Sequence, residues 1–127
     1  MSRKNEKLCE SLSHVADSSG FSYAIRNFLD RFKTNPDLAL LTDEPALLVH
    51  TLNDGGYADA FAASMVAYLC QVHNLKAPSW VNTEPRRMAV PHFAAKTPAM
   101  KAILLQESPA AFRVRNLFVS ANALSRA

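Results

Sequence analysis

The run YADAFAASMVAYLCQVH, Tyr57–His73, decides how the chain is read. Ala58, Phe61, Ala62, Met65, Val66, Leu69 and Val72 recur at three- and four-residue spacing, the period of a helix with one apolar face. Ala60, Ala63 and Ala67 keep the remaining surface small, so neighbours can approach closely on several sides. The run therefore predicts a central buried helix over 57–73. His73 and Asn74 close it: an imidazolium suits the negative end of a helix dipole, and Asn accepts a left-handed C′ position.

Upstream of that helix the same period recurs. Leu8, Leu12 and Val15 predict a first helix over Arg3–Ala16, and the SSG at 18–20 is expected to break it. Phe21, Ile25, Phe28, Leu29 and Phe32 give a second apolar stripe over Phe21–Lys33, with Arg26, Asn27, Asp30 and Arg31 facing away. Asn35-Pro36 ends it, because proline disfavours helical geometry in the residue before it. Asp37–Leu41 reads as one helical turn. Thr42-Asp43-Glu44-Pro45 reads as the start of a buried helix over 45–52, and Asn53-Asp54-Gly55-Gly56 as a turn.

Downstream the texture changes. Prolines at 78, 85, 91 and 98 make 76–97 a loop, pinned to the helices by Trp80 and Phe93. Thr97-Pro98 opens a helix carrying Met100, Ile103 and Leu104. Ser108-Pro109 opens a short one, with serine as N-cap and proline at the first helical position. Leu117–Ala127 is expected to be part extended and part helical. The fold class is all-α: five or six helices around 57–73, in a single domain spanning 1–127.

Of the 127 residues, 49% are hydrophobic and 20% charged, which is ordinary globular usage. No apolar stretch is long enough to cross a bilayer, and MSRKNEKLCE lacks the apolar segment of a secretory signal. The expectation is a cytoplasmic protein with no membrane association and with both thiols, Cys9 and Cys70, free. Charge is unevenly spread. Residues 1–75 hold six Lys and Arg against nine Asp and Glu, whereas 76–127 hold eight against two. Such a split serves either a basic contact surface or two halves that attract one another.

The residues offer little catalysis. No G-x-S-x-G elbow, P-loop, G-x-G-x-x-G or H-E-x-x-H is present, and neither His50 nor His92 has a visible nucleophile partner. Neither a cofactor nor a metal is expected. Cys9, His14, Cys70 and His73 are the nominal zinc ligands, but Cys9 and His14 lie roughly 140° apart around a helix. Nucleic acid is the sharper alternative. HVADSSGFSYAIRNFL, 14–29, has the look of a helix-turn-helix, with Ser22, Tyr23, Arg26 and Asn27 near the start of the second helix. Against it, such motifs carry an apolar residue where Arg26 stands, and residues 1–33 have little net charge to engage phosphates.

The basic residues of the second half are the other candidates. In SPAAFRVRNLF, Ser108–Phe118, Arg113 and Arg115 stand roughly 200° apart on a helix. One of them is expected to reach solvent and the other an acidic neighbour of the first half. With Arg86 and Arg87 they form the expected partner-binding surface.

PSWV, EPRRM, PHF and KAILLQESPAAFRVRNLFVSANALSRA together resemble the C-terminal portion of a poorly characterised group of small bacterial proteins. The shared pattern is P-x-W … R … P-x-F … SP-x-x-F-R-x-R-x-x-F-V. It is carried here by Pro78, Trp80, Arg87, Pro91, Phe93, Ser108, Pro109, Phe112, Arg113, Arg115 and Phe118, across about residues 77–127. The resemblance implies an antitoxin-like or regulatory role and supplies no catalytic residue. The expected function is thus a non-enzymatic interaction module that binds a protein partner or itself. The alternative is a nucleic-acid-binding regulator using 14–29.

Overall fold

The longest described helix is the one the alanine-rich run predicts: α3, Gly55–Val72. The computed structural model describes residues 6–52, 55–94 and 97–120. Expectations for 1–5, for the Asn53-Asp54 part of the turn and for 121–127 lie outside them. Gly55 and Gly56 belong to the first turn of α3 rather than to a turn before it. At the other end Asn74 takes a φ of 59°. The Leu75 amide then reaches back to the Cys70 carbonyl at 2.7 Å, the closure made by a left-handed C′ residue. Ala58, Ala60, Ala62, Ala63, Met65 and Val66 are buried, while Val72 at the last turn stands in solvent.

Before α3 come α1, Leu8–Leu12, and α2, Ser18–Thr34. α1 is shorter than its apolar spacing predicts. The Ser13 hydroxyl donates to the Glu10 carbonyl at 2.6 Å, and such a local bond competes with continued helix. α2 begins three residues earlier than expected. The carboxylate of Asp17 accepts from the Gly20 amide at 2.7 Å and caps the helix, so Ser18-Ser19-Gly20 form its first turn. Gly20 serves closeness rather than a left-handed turn: a Cβ there would stand 3.1 Å from the capping oxygen. The helix stops at Thr34, before Asn35-Pro36. Phe21, Ile25, Phe28, Leu29 and Phe32 are buried as the stripe predicts. Phe21 meets Phe61 of α3 edge-on, at 6.2 Å between ring centres.

Leu38–Leu40 form a single 3₁₀ turn. The expected helix over 45–52 is absent; the chain runs irregularly from Glu44 to Leu48 and turns through 49–52. Two of its backbone groups are satisfied from outside. The Leu48 amide donates to Asp59 of α3 at 2.7 Å, and the Pro45 carbonyl accepts from the Arg86 guanidinium. These side chains hold two groups that a helix ladder would otherwise have used. The chain closes on itself at the end of the segment, where the Thr51 and Leu52 amides donate to the Leu48 carbonyl.

The proline-rich segment wraps α3 with two 3₁₀ turns, Ser79–Asn82 and Glu84–Arg86. Trp80 is buried, and its ring nitrogen donates to the Leu41 carbonyl at 3.1 Å. After it β1, His92–Phe93, pairs in parallel with β2, Leu117–Phe118. Phe93 stacks on Phe118 at 4.7 Å.

Between the two strands lie α4, Pro98–Glu107, and α5, Ala110–Arg113. Thr97 caps α4, accepting from the Met100 amide at 3.2 Å. Ser108 does not cap α5. Its hydroxyl donates to the Val119 carbonyl at 2.8 Å and accepts from the Val119 amide at 2.7 Å, so it fastens the outgoing chain, and Pro109 occupies the cap position. Phe112 of α5 is fully buried against Phe61 and Tyr68. One continuous cluster of buried residues runs from Leu8 to Val119. The described residues are thus mostly helical, with five α-helices and one two-residue parallel strand pair.

Candidate functional site

The four arginines of the second half divide two and two. Arg87 and Arg113 are exposed. Arg86 is 1% exposed and Arg115 5%, so neither presents its charge to a partner on an open surface.

Arg86 is the cation that ties the two halves together. Its guanidinium donates to Glu44 at 3.1 and 3.3 Å, from Nη2 and Nε, and stands 3.7 Å from Asp59. It also lies over the Trp80 ring, 4.8 Å from its centre, where the ring's negative face attracts a cation. Asp59, almost fully buried, accepts from the Leu48 amide through Oδ1, while its Oδ2 has no partner among the described residues. Burial raises the Asp59 carboxyl above its ordinary value; the Leu48 amide and Arg86 pull the other way and do not prevail.

Arg115, not Arg113, is the inward member of the R-x-R pair. Among the described residues it has no acidic partner of the kind expected. Nε donates to the Val81 carbonyl at 3.1 Å, Nη1 to the Ala111 carbonyl at 2.6 Å, and Nη2 to Asn82 Oδ1 at 3.3 Å. All three acceptors are neutral. Asn116 follows with a φ of 63° and donates from its side chain to the Met88 carbonyl at 2.8 Å. Arg86, Arg87 and Arg115 meet at a pocket of about 140 Å³, with Asn82 and Thr83 on its wall.

Ser22, Tyr23, Arg26 and Asn27 all stand on the solvent face of α2. They span an arc of roughly 140°. Tyr23 and Asn27 line a cleft of about 460 Å³ between α1 and α2, together with His14, Asp30 and Arg31. Residues 6–34 hold four basic and four acidic side chains, so the segment as a whole has no net charge to engage a phosphate backbone. Five residues separate α1 from α2, against the three or four of a helix-turn-helix turn. Among the described residues no three of His, Cys, Asp and Glu gather as a metal would require. Burial raises the thiols of Cys9 and Cys70 above their ordinary value, which keeps them protonated and poorly nucleophilic. His73, one of the nominal ligands, packs edge-on against Phe32 at 5.3 Å.

Asp59 and Glu44 are the participants that sequence reasoning missed. The signal for Asp59 was visible: a lone carboxylate inside the apolar stretch 58–69, where a charge must be paired. Glu44 carried no such mark, because an acid before Pro45 equally fits a helix start. No protein-family model, no curated protein and no solved structure matches the chain.

Proposed function

We propose that the chain is a non-enzymatic interaction module, antitoxin-like or an accessory regulator, that binds a protein partner or a second copy of itself. One observation carries this reading. α4 buries only Leu104 and leaves Met100, Ile103 and Leu105 about half exposed. Met100 and Ile103 lie roughly 60° apart around α4 and so share one face, and neighbouring exposed apolar side chains favour burial against a partner. Arg113, exposed beyond Ser108-Pro109, and Arg87 supply cations for the edge of such a contact, where charge sets encounter rate and register more than affinity. A partner with an apolar groove and an acidic rim fits this chemistry.

Sedimentation equilibrium of the purified chain, alone and mixed with the product of an adjacent gene, tests the reading. A complex that weakens at least tenfold in Ile103→Asp, with the helical circular dichroism retained, supports it. A chain that stays monomeric and forms no stoichiometric complex removes it.

The second reading is a nucleic-acid-binding regulator. It is favoured by the shared solvent face of Ser22, Tyr23, Arg26 and Asn27 on α2. Duplex binding that falls steeply with salt and is lost in Arg26→Ala would support it in preference to the first.

A further inference from the structure

Arg115 is a buried cation that has no anionic partner among the described residues. A guanidinium carries five N–H donors; the three bonds it makes all end on neutral oxygens, which leaves two donors over. Arg87 stands nearby, exposed and without an ion pair among the described residues. Arg86, on the same pocket, is answered by Glu44 and Asp59, so its charge is spent. Among the described residues the pocket these groups share has no acidic residue on its wall. Burial and the positive charge of Arg87 both work against the charged form of Arg115. Removing a charge from water without a counterion is costly, and an anion seated in the pocket would offset part of that cost.

We propose that the pocket between Arg115 and Arg87 binds a tetrahedral anion of the phosphate class. Its volume, about 140 Å³, is room for a small anion and well short of the roughly 300 Å³ or more of a drug-sized ligand site. Two unanswered guanidinium groups supply a charge of two, which a phosphate dianion matches. A planar carboxylate engages one guanidinium fork well, whereas tetrahedral oxygens reach donors arriving from two directions. On the same wall the Asn82 side-chain amide is the neutral donor, since the Thr83 hydroxyl donates to the Trp80 carbonyl at 2.9 Å. Free inorganic phosphate and the phosphate end of a small monoester present the same chemistry here. Arg87 is shared with the edge of the partner contact, but anion binding is measured on the chain alone, so the two readings fail separately.

Isothermal titration calorimetry on the full chain, at constant ionic strength, tests this with inorganic phosphate, glycerol 3-phosphate and acetate. The expected result is a one-site isotherm for phosphate or the monoester with a Kd of about 1 mM or tighter, and acetate at least tenfold weaker. The tighter of the first two identifies the source. Arg87→Gln, at an exposed position, should keep the fold and weaken phosphate roughly five- to tenfold; Arg26→Gln, on the far helix, should leave it unchanged. The Arg115 Nε–H resonance should shift on phosphate addition, a readout that needs no substitution. Absence of binding, equal affinity for acetate, an equal loss in both variants, or an unmoved Arg115 resonance would each overturn the proposal.

Discussion

Asp59 is the residue on which the middle of the chain turns. It sits in an apolar helix, holds the Leu48 amide and stands beside Arg86. A buried pair of this kind adds little net stability, yet breaking it is costly, since the remaining charge is left unanswered. Arg86→Met should therefore destabilise the chain by about 3–5 kcal/mol in urea unfolding. The double change Arg86→Met with Asp59→Leu should recover a large part of that loss, and a double variant no better than the single one would show that Arg86 acts through packing alone. The Asp59 carboxyl also imposes a pH dependence. Its folded value lies above 3.8, so between that value and the folded one the native state holds a proton that the unfolded chain has released. The stability from this group is fully present below the unfolded value and is lost as pH rises through the folded one. Subtracting an Asp59→Asn titration from the wild-type curve isolates it; a difference that falls with rising pH above 3.8 is expected, and one that rises would reverse the assignment.

Among elements, the two longest helices were the most legible in the sequence, and their ends show why. Asn74 announced the end of α3 because so few residues accept a positive φ. Replacing it with valine should cost about 1 kcal/mol or more, while glycine stays close to wild type; a thermal melt of both separates the conformational effect from any loss of the amide side chain. Apolar periodicity is enough where a helix is stabilised by its own ladder and one buried face, as with Phe21, Ile25 and Phe28 of α2. It fails for 45–52, where the local signals of a helix start were outweighed by Asp59 and Arg86, residues eleven and forty-one positions from the atoms they hold. Ser108 failed in the same way: a serine before a proline reads as a cap, but its hydroxyl is drawn across to Val119. The inward turn of Arg115 was half legible. Helical spacing separated it from Arg113, but nothing local revealed that its partners would include a carbonyl and an amide of the proline-rich segment. What periodicity cannot show is a polar side chain that satisfies someone else's backbone.

At the scale of the whole molecule, the acidic first half and the basic second half meet mainly through Arg86, whose contacts reach Glu44, Pro45 and Asp59. Two ion pairs between the halves thus stand at this one guanidinium. Beside them are the Trp80–Leu41 hydrogen bond and an apolar union, in which Trp80, Val81, Phe112, Leu117 and Val119 share one buried cluster with α1, α2 and α3. None of the elements after α3 has a core of its own, as α4 with its single buried residue makes plain. The second half should therefore be unable to unfold separately from the first. Trp80 is the only tryptophan of the chain, and its ring nitrogen is bonded to Leu41, so its fluorescence reports the junction while far-ultraviolet circular dichroism reports chiefly α2 and α3. The two probes should give coincident urea transitions, with a common slope of about 1–3 kcal/mol per molar urea. Trp80→Phe keeps the packing but leaves the buried Leu41 carbonyl without its donor, and circular dichroism should show its midpoint lowered by the equivalent of about 1–3 kcal/mol. If fluorescence changed at a lower urea concentration than the helical signal, the proline-rich segment would be a strap that opens on its own, and the halves would be coupled less tightly than their shared core requires.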